Sequence, residues 1–257
     1  MLRHFYYKHF SQKTISHPGT KAVYLCHPFG FYAYGHLHDS LQRLFSIRDI
    51  LEDSSLKFAV SRYDQICDFK EHLSILVGRP IEADDLILVG GSEIHLFDQL
   101  IVPYSPAMPT SYTPDTYRWI FQAYTDYFGL NSYNVDPALR IYLSRNHVKP
   151  GSRSVVNEAE VLNCLTAHGF RALDGTESLE DIVRSFYMAS TIIGPHGSLF
   201  ANTIYCRKKT RIFEFCPANR VDFSFKNKYK LSAGYEHILV DSDSNFNIQT
   251  VSYTHLT

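Results

Sequence analysis

The segment TIIGPHGSLFANTIYC, residues 191–206, carries the most informative chemical pattern in the sequence. A hydrophobic strand is predicted to end at Gly194, a tight turn follows it, and a helix is predicted to begin at Ser198. The amino terminus of a helix attracts anions because it presents unpaired N–H groups and a partial positive charge. Gly197 has no Cβ and would admit a diphosphate, while His196 and Ser198 could donate hydrogen bonds. An ordinary strand-to-helix turn with a buried histidine is the alternative interpretation of this segment taken alone.

A second group of polar residues lies in SRNHVKPGSRSVVNE, residues 144–158. Arg145 is predicted to end a strand, Lys149 and Arg153 lie in the following loop, and Glu158 falls in the first turn of the next helix. A guanidinium group can grip phosphate oxygens with two parallel N–H donors, and a carboxylate can accept hydrogen bonds from sugar hydroxyls. The alternative is a solvated basic loop, followed by a glutamate that only complements the helix dipole.

The third group is contained in AYGHLHDSLQRL, residues 33–44, where His36, His38 and Asp39 fall within four residues. A carboxylate that orients an imidazole could create a general base. The same three side chains could bind a metal ion, but histidines two positions apart on a helix point to different sides, which disfavours one ion held by both. A role in an interface or in helix capping is the third possibility.

Short apolar runs alternate with amphipathic segments along the chain, which predicts an α/β protein with helices packed on mostly parallel sheets. In the second half the order of strands and helices is that of a Rossmann-like unit with right-handed crossovers. The predicted strands are residues 22–27, 56–60, 86–91, 139–145, 170–175, 191–194 and 211–217.

A proline-rich loop and a polar segment interrupt this alternation near the middle of the chain. Residues 101–114 contain four of the eleven prolines, which excludes a long helix or an interior strand there. Residues 115–129 are predicted to form a helix, and the polar segment before Arg140 is the predicted linker. The sequence therefore predicts two domains, residues 1–135 and residues 136–257.

The composition is that of an ordinary globular protein, with 257 residues, 45% hydrophobic and 20% charged. A net charge of −1 gives no overall field that would attract nucleic acid, so no nucleic-acid partner is expected. Five cysteines without a C-x-x-C pair argue against a disulfide framework and against a structural zinc site. No run approaches the ~18 apolar residues of a membrane span. We therefore expect a cytoplasmic protein with no integral membrane segment, either free or peripheral to the inner face of the membrane.

The three polar segments, in this order, resemble glycosyltransferase family 61, the DUF563 group that includes capsular polysaccharide biosynthesis proteins. The first match is a Y-G-H-x-x-x-D-x-L-x-R-L type segment at residues 34–44. The second is I-Y-L-S-R with R-x-x-x-N-E within residues 140–158. The third is G-x-H-G-x-x-x-x-N at residues 194–202, followed by a strand ending in Glu214. The similarity covers roughly residues 20–220 and is most specific in the second half.

This resemblance implies a GT-B fold, in which two Rossmann-like domains face a cleft, the first presenting the acceptor and the second binding the nucleotide. It implies an inverting, metal-independent enzyme that transfers a sugar from a nucleotide-sugar donor, UDP-linked by preference, to a glycan acceptor in capsule or cell-surface polysaccharide synthesis. No cofactor and no metal are expected. The implied catalytic candidates are His36, His38 and Asp39. The implied donor-binding candidates are Arg145, Arg153, Glu158, His196, Gly197, Ser198, Asn202 and Glu214.

Two other functions fit the same pattern. One is a catalytically silent subunit that binds carbohydrate or nucleotide, which a transfer assay would distinguish from an enzyme. The other is polysaccharide pyruvyl transfer, which uses a comparable histidine-containing glycine turn and would depend on phosphoenolpyruvate. The sequence does not indicate an oligomeric state.

Overall fold

A computed structural model describes residues 13–26, 37–61, 69–90, 93–104, 112–132, 137–145, 154–219, 221–229, 234–244 and 247. The chain divides into two compact units, Met1–Pro109 and Thr110–Thr257. The sequence predicts a domain boundary after residue 135, whereas this division falls between Pro109 and Thr110. The helix that follows the proline-rich loop is therefore part of the second unit.

The first unit contains one four-stranded sheet in which all pairings are parallel, in the order β3-β2-β1-β4. Helix α1 continues directly into a 3-10 helix, Gln42–Ile50, and a 3-10 turn, Ala83–Asp85, precedes β3. The elements are β1 (Lys13–Tyr24), α1 (Leu37–Leu41), β2 (Lys57–Ser61), α2 (Phe69–Val77), β3 (Leu86–Val89) and β4 (Glu93–Ile101).

The core of the first unit forms where the sheet is covered by its helices. Ala22, Val23 and Phe58 are fully buried on β1 and β2, and Leu41 and Leu73 are fully buried on α1 and α2. Strand β4 differs, because it lies at one edge of the sheet and most of its side chains are partly buried on one face and exposed on the other. The strands predicted from the sequence overlap β1, β2 and β3, but none overlaps β4, whose mixed sequence lacks a continuous apolar run.

The second unit contains a five-stranded parallel sheet in the order β6-β5-β7-β8-β9. A 3-10 helix, Ser198–Tyr205, follows β7, and a short one, Leu130–Ser132, follows α3. The other elements are α3 (Pro114–Tyr127), β5 (Leu139–Leu143), α4 (Glu158–Ala167), β6 (Phe170–Leu173), α5 (Leu179–Tyr187), β7 (Ala189–Pro195), β8 (Arg211–Pro217), α6 (Ser224–Tyr229) and β9 (Gly234–Val240). The predicted α/β class with two Rossmann-like parallel sheets is confirmed.

The strand order of the second unit defines where a ligand would bind. The chain passes from β5 outward to β6 and then returns to β7 on the other side of β5, so the winding reverses between β5 and β7. In open α/β sheets ligands bind at the carboxyl ends of the strands at such a reversal. Gly194 lets these two strands approach closely, since a Cβ there would lie 2.8 Å from both the Cβ and the carbonyl oxygen of Leu143.

None of the helices among the described residues combines the length and the apolar character needed to cross a bilayer.

Candidate functional site

The carboxyl ends of β5 and β7 bring two of the predicted segments into contact. Arg145 follows β5 and its Nη1 donates a hydrogen bond to the carbonyl oxygen of His196, which follows β7, at 3.3 Å. The guanidinium lies against Gly197, where a Cβ would collide with it. The φ of Gly197 is 178°, which any residue can adopt, so glycine is required here for space. The group that approaches Gly197 in this structure is therefore the Arg145 guanidinium, itself a ligand for phosphate.

Glu158, the first residue of α4, is fixed beside Arg145 by two hydrogen bonds. Its Oε1 accepts from the backbone N–H of Arg145 and from the hydroxyl of Tyr142, both at 3.1 Å. Tyr142 is fully buried, and burial, together with the charge of Glu158, raises the pKa of its hydroxyl, so it stays a donor. The Oε2 atom of Glu158 makes no hydrogen bond to any residue that the structure describes. One oxygen thus anchors the carboxylate and the other is available to a ligand.

His196 belongs to a buried network centred on Glu214. The Nδ1 of His196 lies 2.6 Å from Oε1 of Glu214, whose side chain is fully buried. The Oε2 of Glu214 accepts from the hydroxyl of Tyr235 at 2.9 Å and lies 3.0 Å from Nε2 of His237. Burial raises the pKa of Glu214, but the hydrogen bonds from His196, His237 and Tyr235 outweigh that effect and leave it below its usual value. Glu214 is therefore an anion, and both histidines donate to it.

The second nitrogen of His196 faces a different carboxylate. Its Nε2 lies 3.7 Å from Oδ2 of Asp222, whose side chain is partly exposed. The imidazole ring also packs at a tilt against Phe225, with the ring centroids 5.5 Å apart. His196 is therefore held in one orientation, with Nδ1 toward the interior and Nε2 toward the more exposed side of the sheet edge.

His196, Glu214 and Cys216 are the described residues that approach the geometry of a metal site, with ligand atoms within 4.8 Å of one another. Burial and the charge of Glu214 raise the pKa of the Cys216 thiol to about 12, so it stays protonated at neutral pH. Both oxygens of Glu214 already accept hydrogen bonds. These features fit a hydrogen-bonded network better than a set of metal ligands.

The remaining donor-binding candidates fall into three groups. Ser198 begins the 3-10 helix after Gly197 and is partly exposed. Asn202 lies in the same helix and is fully buried. Arg153 and the neighbouring Lys149 lie outside the described residues. The structure thus brings together Arg145, Glu158, His196, Gly197, Ser198 and Glu214.

Sequence reasoning missed Tyr235, His237 and Asp222, which complete the network around His196. Tyr235 and His237 are two positions apart on β9, so their side chains point to the same face of the sheet. This spacing is the one sequence feature that could have indicated Tyr235 and His237. It is informative only because β9 pairs with β8, the strand that contains Glu214.

The structure describes two of the three catalytic candidates of the first unit. His38 and Asp39 lie in α1, and both are buried. The ring of His38 packs edge-on against that of His72, with centroids 5.9 Å apart. Burial lowers the pKa of His72 to about 3, so this imidazole is neutral. His36 lies outside the described residues.

Arg43, from the same sequence segment, has a structural function. It donates to the carbonyl oxygens of Cys26 at 3.0 Å and of Pro103 at 3.2 Å. Cys26 follows β1 and Pro103 follows β4, so this one side chain joins the carboxyl ends of two neighbouring strands.

The family model described as Glycosyltransferase 61 matches residues 34–213. The chain is also similar to a structure of the E. coli heptosyltransferase WaaC with ADP, with a TM-score of 0.44 and 10% sequence identity over 87% of this chain and 94% of that one. A second structure of the same enzyme, with ADP-2-deoxy-2-fluoro heptose, matches with a TM-score of 0.39, 10% identity and the same coverage of 87% and 94%. No curated protein matches the chain.

Proposed function

Because this chain belongs to glycosyltransferase family 61, we propose that it transfers a sugar from a nucleotide-sugar donor to a glycan acceptor with inversion, and that the donor binds at the carboxyl ends of β5 and β7. A UDP-linked donor and a role in capsule or cell-surface polysaccharide synthesis are part of this proposal. The observation that supports it most is the Arg145 guanidinium, which lies over Gly197 beside Glu158 at the reversal point of the sheet.

The chemistry of sugar transfer calls for such a site. The nucleoside diphosphate gains negative charge as the glycosidic bond breaks, so fixed donors near it stabilise the transition state more than the ground state. Arg145 supplies a guanidinium, and the helix that begins at Ser198 supplies a positive dipole end. In this proposal these groups carry the stabilisation without a divalent ion or another cofactor.

Of the other candidates, we assign Glu158 a direct contact with the donor and give Glu214 and Asn202 supporting functions. Oε2 of Glu158 is the acceptor we assign to a hydroxyl of the ribose or of the sugar, because Oε1 is already engaged. Glu214 acts through His196, since three protein groups already occupy its oxygens. Asn202 is fully buried, so we assign it a supporting function within the helix.

Proton transfer from the acceptor hydroxyl is assigned to the segment containing His36, His38 and Asp39. The side chains of His38 and Asp39 are almost fully buried, so His36 is the first residue to test as the base. Replacing His36 by Ala should lower kcat at least 100-fold and leave the KM for the donor unchanged, because general-base catalysis contributes roughly 10²–10⁴ in rate. An unchanged kcat would remove His36 from this function.

Arg145, which follows β5, and Arg140, near the beginning of the same strand, provide a matched test of the donor site. Arg145→Lys keeps the charge but removes the forked donor geometry, so we expect UDP to bind about 10-fold more weakly in calorimetric titration. Arg140→Lys is the control, because Arg140 lies at the other end of the strand, where it donates to the carbonyl oxygen of His168. Equal affinities in the two variants would refute the donor site.

A transfer assay with UDP-, GDP- and CMP-sugars would identify the donor. Turnover that requires phosphoenolpyruvate in place of these donors would contradict the proposed reaction.

A further inference from the structure

A concave pocket of about 500 Å³ lies at the opposite edge of the second unit's sheet. Its walls come from α3, from the end of α5 at Tyr187, and from residues 206–208, which precede β8. Since all the strands are parallel, the residues that precede β7 and β8 lie at the amino edge, whereas His196 lies at the carboxyl edge. The seven residues of β7 separate the two edges by roughly 20 Å.

One side of the pocket is built from aromatic rings. The rings of Tyr117 and Phe121 have centroids 6.2 Å apart, those of Phe121 and Tyr187 are 6.0 Å apart, and neighbouring rings are inclined by only 19° and 25°. The hydroxyl of Tyr117 donates to the carbonyl oxygens of Ile204 at 2.9 Å and of Cys206 at 3.2 Å, which fixes its ring. The pocket thus presents a preformed apolar surface.

The rim of the pocket is basic. The guanidinium of Arg207 lies over the ring of Tyr187, 4.7 Å from its centroid, and its Nε donates to the Tyr187 carbonyl oxygen at 3.0 Å. Lys208 and Arg118 also line the pocket, and both are exposed. Arg118 pairs with Asp115, but both side chains are more than two-thirds exposed, so solvent screens that pair strongly. None of the described residues that line the pocket is acidic.

Gln122, an exposed residue that lines the pocket, offers a hydrogen-bond acceptor. The side-chain nitrogen of Gln122 donates to Asp126 at 2.9 Å, which orients the amide. Its carbonyl oxygen makes no hydrogen bond to the part of the chain that the structure describes, so it can accept from a hydroxyl.

We propose that this pocket is a second binding site, separate from the donor site, for an acidic saccharide unit such as a hexuronate within a glycan. The C–H face of a sugar ring packs on aromatic side chains, and its carboxylate would pair with the rim cations Arg118, Arg207 and Lys208. A hydroxyl of the sugar would donate to Gln122. The small concave volume matches one or two sugar rings, and the excess of positive charge selects an anionic ligand over a neutral one.

The test uses a hexasaccharide of alternating glucuronate and N-acetylglucosamine, together with its carboxyl-reduced neutral form. In calorimetric titration of the full chain, we expect the acidic form to bind at least 5-fold more tightly. The double variant Arg118→Ala with Lys208→Ala should lose at least 5-fold in affinity for the acidic form. Lys209→Ala is the matched control, because Lys209 is an exposed neighbour that does not line the pocket, and it should bind like the unchanged protein.

Several outcomes would overturn this site. They are equal affinity for the two forms, no binding of either form, full affinity in the double variant, and an equal loss in the Lys209 control. Inorganic phosphate that displaces the hexasaccharide at the same concentration would indicate a general anion site, and binding to phosphatidylserine vesicles alone would indicate a membrane surface. UDP titrated into the same variants reports on the donor site separately, so failure of one site is distinguishable from failure of the other.

Discussion

Each unit of the protein buries histidines, but the groups that surround these histidines differ between the two units. In the second unit His196 and His237 both donate to Glu214, a fully buried carboxylate whose pKa lies below its usual value. In the first unit burial lowers the pKa of His72 to about 3, and His38 packs edge-on against it. The buried carboxylate fixes which ring nitrogen of each of these two histidines donates, whereas burial of His72 disfavours its charged form. The second unit therefore contains a buried carboxylate that organises the residues around it, whereas His72 is buried in the first unit as a neutral imidazole.

We expect the largest loss of stability when the buried carboxylate of Glu214 is removed. Glu214→Ala removes the common acceptor of His196, His237 and Tyr235, so it should lower the free energy of unfolding by about 3–5 kcal/mol. Urea denaturation followed by the fluorescence of Trp119 measures this, because that residue is the single tryptophan of the sequence and lies in the second unit. Glu236→Ala is the control on the same strand, because Glu236 is exposed. A loss no larger than that of the control would contradict the network.

Substitution of two nearby glycines in the second unit should have different effects, one on stability and the other on UDP affinity. Gly194→Ala should destabilise the protein by about 2–3 kcal/mol, because the new Cβ would meet the Cβ and the backbone of Leu143 at 2.8 Å and strand β5 cannot retreat. In Gly197→Ala the new Cβ would meet the end of the flexible Arg145 side chain, which can swing aside. The fold should therefore survive, while UDP affinity falls. Thermal unfolding combined with UDP titration distinguishes these outcomes, and a reversed pattern would show that Arg145 is not seated over Gly197.

The third prediction compares how His72 in the first unit and Glu214 in the second make stability depend on pH. The pKa of His72 is 6.5 when unfolded and about 3 when folded, so the unfolded state binds the additional proton between these values. Stability is thus lost as the pH falls below 6.5, and lowering the pH from 7 to 5 should cost roughly 2 kcal/mol. The pKa of Glu214 is lowered instead, so its contribution is complete above 4.5 and is lost only below that value.

The His72→Leu variant should lose this dependence between pH 7 and pH 5. His168→Gln, at an exposed histidine of the second unit, should keep it. Urea denaturation followed by far-ultraviolet circular dichroism at both pH values is the measurement. An unchanged pH dependence in His72→Leu would show that this histidine is not the source of the acid sensitivity.

The burial of each strand explains which strands could be predicted from the sequence. The strands that end at Leu143 and Pro195 are buried on both faces, so they read as apolar runs, and the polar residues after them mark the sheet edge. Strand β4 is partly buried on one face and exposed on the other, and it has no continuous apolar run.

The network around Glu214 could be predicted only in part. His196 and Glu214 belong to segments with a family resemblance, whereas Tyr235 and His237 reach them through the pairing of β8 with β9. That pairing joins residues 21 to 23 positions apart, and local sequence patterns do not encode it. In the first unit, the sequence places His38 and Asp39 on a helix but does not show that their side chains point inward.

The smallest expected effect concerns Gln42, which follows α1 and is fully buried. Neither its side-chain nitrogen nor its oxygen has a hydrogen-bond partner among the described residues, and a buried amide without partners costs roughly 1–3 kcal/mol. Gln42→Met has a similar shape and no such cost, so it should raise the free energy of unfolding by about 1 kcal/mol. Gln122→Met, on the exposed surface of α3, should have little effect. Urea denaturation measures both variants, and a destabilised Gln42→Met would mean that the amide is satisfied in solution. A Gln42→Met variant that is more stable but loses transfer activity would show that the buried amide is retained for activity, in contrast to the fully paired carboxylate of Glu214 in the second unit.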